Sequence, residues 1–270
     1  MASAPSTPIA AELASRALDV NAANLALGHE TFQAEGARFV RNRLFPRIYD
    51  ANHVSHVTAA SGREIERLLA KVEAEYQGIG HRRFDVDFRT PPAFVARLVL
   101  DGYERTDALA LLLEGDLIGE AREYEVRPLE TKADWGAYAE LHALDWSEHM
   151  ERQKRAEDAS VPKQMLATHQ AKQPPVQYWL AYVNGRPRAY FNSWRGIDGV
   201  GQIEDLFTHP DFRHRGLATA LIHHCVADCR RKGAAQVVIV ADPTDTPKQM
   251  YAAMGFCPVA VYSHYLKRLD

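Results

Sequence analysis

Cysteine is scarce in this chain of 270 residues: Cys225, Cys229 and Cys257 form an odd set of three. That is too few for a disulfide framework and typical of a reducing compartment. Long apolar runs are missing as well. The longest, such as Ala108–Leu113 and Val237–Ala241, fall far short of the roughly 20 residues that cross a bilayer as a helix, so no membrane partner is expected. Neither sign of charge dominates, since 32 basic side chains against 35 acidic ones leave a formal charge of −3. No bulk field therefore draws the molecule to nucleic acid or anionic lipid, and any phosphate it binds is held locally. No basic residue precedes Arg16, so no secretory signal is expected and a cytoplasmic location is. What remains is ordinary globular composition, 46% hydrophobic and 25% charged, in a length that suggests about two domains.

The first eight residues are rich in Ser, Pro and Ala and are expected to be disordered. Ile9–Leu27 then has helical spacing and good helix formers, an N-terminal arm or packing helix. From Ala37 the pattern turns strand-like. A helix is predicted over Ser61–Tyr76, where Ile65, Leu68, Leu69 and Val72 make one apolar stripe. Phe84, Val86 and Phe88 alternate with Asp85 and Asp87 as in a strand. Pro91–Leu100 reads as a second helix and Ala108–Leu113 as a buried strand.

The C-terminal region repeats this order. Glu123–Leu129 alternates as a strand and Ala133–Asp145 has helical spacing. The charged run Glu148–Asp158 reads as a solvated surface, and Asn184-Gly185 marks a hairpin between Gln177–Val183 and Pro187–Trp194. The strand Gly201–Thr208, a helix from Leu217, the strand Gln236–Ala241, a short helix Pro247–Met254 and a last strand Val259–Leu266 complete it. Gly62 to Tyr103 and Gly216 to Phe256 span nearly equal lengths, each with a Thr-Pro-led helix before an apolar strand. Duplication with decay accounts for that, and so do two unrelated α/β segments of similar rhythm. The expected fold class is α/β of the mixed α+β kind, a twisted mixed sheet flanked by helices and built in two similar halves. The expected division is an arm over 1–34, a first half over 35–121 and a second over 122–270.

The segment with the most chemistry is Glu204–Ala220, EDLFTHPDFRHRGLATA. A strand runs into a loop holding Arg213, His214, Arg215 and Gly216, which opens a helix at Leu217, Ala218 and Thr219. Unpaired amides converge at a helix start and the dipole adds positive charge there, a ready site for a diphosphate. Gly216 lets the backbone come close to phosphate oxygens. No G-x-G-x-x-G and no Lys-Ser/Thr after a second glycine is present, which argues against dinucleotide and ATP loops.

Arg213-x-x-Gly216-x-Ala218, after a strand ending Leu206-Phe207-Thr208-x-Pro210, resembles the coenzyme-A-binding signature of the GNAT superfamily of N-acyltransferases. The later strand QVVIVAD and Tyr251-x-x-x-Gly255-Phe256 follow in that superfamily's order, and the resemblance covers about residues 122–270. Ala218 stands where glycine is usual, Thr208 where valine is, and Thr244 or Asp245 where an asparagine near the cofactor is common.

The resemblance implies an acyl-CoA-dependent N-acyltransferase that uses acetyl-CoA as donor and a small-molecule primary amine as acceptor. The 201–208 strand would part from Gln236–Ala241 to admit the pantetheine arm against Phe207 and Thr208, with Thr244 a further contact. The free N–H near Thr208 would stabilise the oxyanion. Glu204 is the candidate general base, and strand alternation puts Asp205 on the opposite face; a member of a local ion pair is the other reading of Glu204. Tyr251 is the candidate acid for the leaving thiolate, or else a packing aromatic. Trp146 and Trp194 fall in segments that wall the amine pocket in this superfamily, as do His149, Tyr190 and Asn192; Trp194 and Tyr190 also fit a core strand face.

His223, His224, Cys225 and Cys229 share one helix with no second ligand pair elsewhere, and no metal is expected. The first half has TAASGRE in place of the loop, with one glycine and no arginine pair. It is expected to bind no cofactor and to complete the sheet, wall the pocket or form a homodimer surface. A non-catalytic acyl-CoA-binding regulator and an interaction module are the competing readings.

Overall fold

The computed structural model describes residues 8–154, 158 and 160–269. The expected disorder of the first eight residues concerns, but for Pro8, residues outside that set. A long helix α1 (Pro8–Ala26) is followed by short strands β1 (Glu30–Ala34), β2 (Ala37–Arg41) and β3 (His53–Ser55). Then come α2 (Gly62–Glu75), β4 (His81–Val86), α3 (Pro92–Leu100) and β5 (Glu104–Leu113). The second half runs β6 (Glu125–Pro128), α4 (Lys132–Gln153), α5 (Ser160–Ala171), β7 (Val176–Val183), β8 (Arg186–Ile197) and β9 (Val200–Thr208). It ends with α6 (Leu217–Arg231), β10 (Gln236–Ala241), α7 (Pro247–Ala253) and β11 (Cys257–Arg268).

Local chemistry accounts for most of these. α2 buries Ile65, Leu68 and Val72 on one stripe and starts with a capping box in which Ser61 and Glu64 bond each other's backbone amides. Asn184 and Gly185 both take positive φ, 52° and 71°, as the tight turn between β7 and β8 demands. Three elements escape the sequence patterns: β1, the three-residue β3, and α5, whose buried residues Thr168 and His169 are polar. The charged run continues α4 as far as Gln153, and Arg152 pairs with Asp245 while Glu148 pairs with Arg213. Those charges are structural contacts as well as solvated surface.

All eleven strands join one sheet in the order β1-β2-β3-β4-β11-β5-β10-β9-β8-β7-β6. The centre is an exchange. β5, the last strand of the first half, pairs antiparallel with β10, and β11, the last of the second, pairs antiparallel with β4. The two exchanged strands pair with each other between them. A division at 121/122 therefore cuts the chain but not the sheet.

One face carries two apolar clusters, Ile65, Leu68 and Phe94 under α2 and α3, and Leu221, Ile222 and Val226 under α6. The other face carries a cluster under α1 and α4 that includes Tyr138, Tyr178, Tyr190 and Phe207. The segment expected as an arm or packing helix thus packs on the sheet: α1 buries Ala17, Leu18 and Val20 across its middle.

Candidate active site

β9 and β10 run parallel but pair only from Gln236↔Val200 to Ile239↔Ile203. Beyond Ile203 the strands separate, and β9 continues to Thr208 paired with β8 only. The gap is a cleft of about 160 Å³, bordered by Glu204, Asp205 and Leu206 on one side and by Ala241, Asp245 and Tyr251 on the other.

The separation coincides with a bulge. Pairing of β8 with β9 steps from Tyr190↔Phe207 to Asn192↔Glu204, so β9 holds one extra residue, and Asp205 takes φ 60°. Aspartate tolerates that left-handed conformation better than most residues. Strand alternation fails here, which corrects the expected facing of the two acids. Glu204 accepts a hydrogen bond from Gln202 Nε2 at 2.5 Å, and Gln202 also donates to Asn21 of α1. Asp205 accepts from Asn192 Nδ2 at 2.8 Å, and Asn192 lies between Tyr190 and Trp194, whose rings fill the α1 and α4 side. Both carboxylates therefore lie on that side, while Leu206 turns to the α6 side.

Burial sets the electrostatics. It pushes the Glu204 carboxyl up to about 8, with the like charges of Asp205 and Asp50 adding to the rise and Lys172 and the Gln202 amide opposing it. Burial likewise pushes Asp145, which accepts from the Tyr190 hydroxyl at 2.7 Å, up to about 6. His169, 3.7 Å from Asp205, is driven down to about 4 by burial and is neutral near pH 7. The Tyr251 hydroxyl is raised by burial and holds its proton.

At the far end of β9 the chain turns through Pro210–Phe212 into the loop before α6. Arg188 and Arg215 lie over the Phe212 ring at 4.5 and 4.9 Å, and Arg213 over Phe207 at 5.8 Å. Arg213 Nε also donates to the Thr208 carbonyl at 3.1 Å. Because His209 N–H donates to Arg188 of β8 at 2.8 Å, alternation turns the Thr208 N–H away from β8, toward the gap. The Thr208 hydroxyl is buried without a partner.

Tyr124 O–H donates to the Arg215 carbonyl at 2.7 Å, and a planar peptide then aims the Gly216 N–H the other way. His214 and Gly216 have φ 58° and 92°, which turn the loop sharply into α6. No side chain caps α6 at Gly216, so the first-turn amides of Leu217, Ala218 and Thr219 have no side-chain acceptor. The residues present fit a diphosphate: converging amides, a bare Cα and two guanidiniums.

Of the residues expected at the site, Glu204 and Tyr251 border the cleft, while Phe207, Thr208 and the loop residues 213–219 lie outside its lining, as do Trp194, Thr244 and Trp146. Trp194 is 5% exposed and sits in the cluster under α1 and α4. Thr244 is exposed and spends both its amide and its hydroxyl on the Asp242 carboxylate. Trp146 is half-buried in α4, stacked on His149, and its Nε1 is buried without a hydrogen-bond partner. Sequence reasoning also missed Asp205, Asp145, Gln202 and Lys172; the bulge and the cover of α5 have no local signal that would have found them. Among the described residues no cluster of metal-ligating side chains occurs, and no helix is long and apolar enough to cross a membrane.

Residues 135–256 match the sequence model of the acetyltransferase (GNAT) family. No curated protein sequence matches the chain. Among solved structures, a functionally unknown conserved protein from Staphylococcus epidermidis shares the fold with TM-score 0.68 at 14% identity, over 90% of this chain and 95% of that one. A GCN5-related N-acetyltransferase from Kribbella flavida does so with TM-score 0.67 at 16% identity, over 98% and 97%. A tandem GNAT protein from the clavulanic acid biosynthesis pathway gives 0.57 at 13%, over 80% and 75%. Residues 135–256 thus match the GNAT acetyltransferase domain, and the mixed sheet with its parted parallel strands and paired halves has the fold of these solved structures.

Proposed function

We propose that the protein transfers an acyl group, most simply acetyl, from acyl-coenzyme A to the primary amine of a small molecule. The observation that carries this reading is the parting of β9 from β10 beyond Ile203 into a cleft bordered by Glu204 and Tyr251, on a strand that leads to the uncapped start of α6. The amides of Gly216, Leu217, Ala218 and Thr219, with Arg213, His214 and Arg215, hold the diphosphate of the donor, and Phe207 and Thr208 line its pantetheine arm. The donor supplies an activated thioester carbonyl. Glu204 takes the proton that an ammonium must lose before it can attack, a role suited to a carboxyl whose pKa lies near working pH. The Thr208 N–H donates to developing negative charge, and the Tyr251 hydroxyl gives its proton toward the departing sulfur.

A thiol-release assay with acetyl-CoA against a library of primary amines tests this. Glu204→Gln is expected to lower turnover by about 10²-fold or more and Tyr251→Phe by about tenfold, both with acetyl-CoA affinity unchanged by calorimetry. Unchanged rates in both variants would overturn the mechanism. Acetyl-CoA binding with no turnover on any amine would replace an enzyme with a coenzyme-A sensor.

A further inference from the structure

Glu204 does not stand alone on β9. Gln202 has one amide nitrogen with two hydrogens, and both are used: one toward Glu204 at 2.5 Å, the other toward Asn21 Oδ1 at 3.0 Å. Asn21 Nδ2 donates in turn to the Tyr262 hydroxyl at 2.9 Å. The chain is buried, with Gln202 at 0%, Asn21 at 4% and Tyr262 at 6% exposure. With the Glu204 carboxyl ionised, turning the Gln202 amide over would set two acceptor oxygens against each other and leave Asn21 without a donor, so the ionised form selects one orientation. That orientation leaves Gln202 Oε1 buried with no partner, a cost the protein bears to keep both N–H groups where they are.

We infer that Gln202, locked by Asn21 of the N-terminal helix and by Tyr262 of the exchanged last strand, is a positioning residue that orients the Glu204 carboxyl and favours its ionised form. The inference rests on Glu204 being the base. It also gives α1 and β11 a part in the chemistry, because neither Asn21 nor Tyr262 borders the cleft. The other groups whose charge bears on Glu204 are Lys172 after α5, Asp50 before β3 and Asp205 beside it, together with the Tyr178 and Tyr262 phenols. Among these Lys172 favours ionisation and the two aspartates oppose it, so a neutral donor fixed on the carboxylate adds to Lys172.

The test reads the carboxyl directly. In protein labelled with carbon-13 at glutamate side chains, the Glu204 signal, assigned by its loss in Glu204→Gln, is titrated in wild type, Gln202→Met, Asn21→Leu and Tyr262→Phe. The midpoint is expected to rise by about one pH unit in Gln202→Met, since a hydrogen bond to a charged group is worth about one unit or somewhat more. Smaller rises are expected in Asn21→Leu and Tyr262→Phe, and the alkaline rise of kcat/KM is expected to move with each midpoint. Tyr262→Phe removes one oxygen and keeps the ring, so it decides the matter should Gln202→Met fail to fold. Midpoints unchanged in the folded variants, whatever their melting temperatures, overturn the inference. If Glu204→Gln keeps full turnover, the base assignment fails by itself; if it loses turnover while the midpoints stay fixed, only the positioning role fails.

Discussion

The two halves start corresponding helices in opposite ways. α2 opens on Ser61 with a complete capping box, and the Glu64 carboxylate accepts from the amides of Ala60 and Ser61. α6 opens on Gly216 with no side-chain cap. The closed start already holds a carboxylate on the amides of Ala60 and Ser61 and a hydroxyl on that of Glu64, while the open one has no side chain on its amides. The strands before them diverge at matching places. Val54↔Phe84 joins β3 to β4 in parallel as Ile203↔Ile239 joins β9 to β10, so Ser55 and His56 stand where Glu204 and Asp205 stand. His56 even keeps the positive φ, 53° against 60°. In the first half, however, α1 fills the gap: Asp19 pairs with His56 at 3.4 Å and with Arg89 at 2.7 Å, and the space left is about 30 Å³. The two halves thus hold two corresponding clefts, one filled by a helix and one open on a carboxylate.

The comparison is broken most sharply by moving the cap. Thr219→Glu puts into α6 the acid that Glu64 supplies to α2, placing a carboxylate where the diphosphate is proposed to lie. Acetyl-CoA affinity is expected to fall by about 10²-fold or more by calorimetry; retained affinity would remove the first turn of α6 from the binding site. A middle-sized effect tests the paired acids. Asp205→Asn removes a like charge that holds the Glu204 carboxyl up, so the midpoint of the kcat/KM rise is expected to move to lower pH. An unmoved midpoint would separate Asp205 from the base. The same raised carboxyl bears on stability. Glu204 folds with its pKa above the ordinary carboxylate value, so its contribution is complete below about 4.5 and is lost as pH rises through about 8. Glu204→Gln is therefore expected to gain in melting temperature relative to wild type as pH rises across that window. The smallest effect lies in the closed half. Glu64→Ala is expected to lower the melting temperature slightly by removing half of the capping box, while acetyl-CoA affinity stays the same.

Much of this was legible residue by residue. The stripe of Ile65, Leu68 and Val72, the Asn184-Gly185 turn and the Arg-rich loop opening α6 are signals between chain neighbours, and the structure has an element at each. For Trp194 the even interval from Tyr190 gives a shared face and does not say whether that face meets substrate or core. β3 is too short to show a period, and α5 carries polar residues on its buried side.

The sequence by itself determined the local pieces: which segments twist into strands, where helices begin, and that one helix start lacks a side-chain cap while its counterpart has one. These depend on residues a few positions apart, whose geometry the backbone sets directly. Only the tertiary structure decided that β5 and β11 change places, that α1 occupies the first cleft, and that a bulge brings Glu204 and Asp205 to one side. Each rests on partners far apart in the chain, such as Asn21 on Tyr262 and on Gln202. The ionisation of a buried carboxyl follows from such neighbours, because in low dielectric the charges and donors around it outweigh its own chemistry.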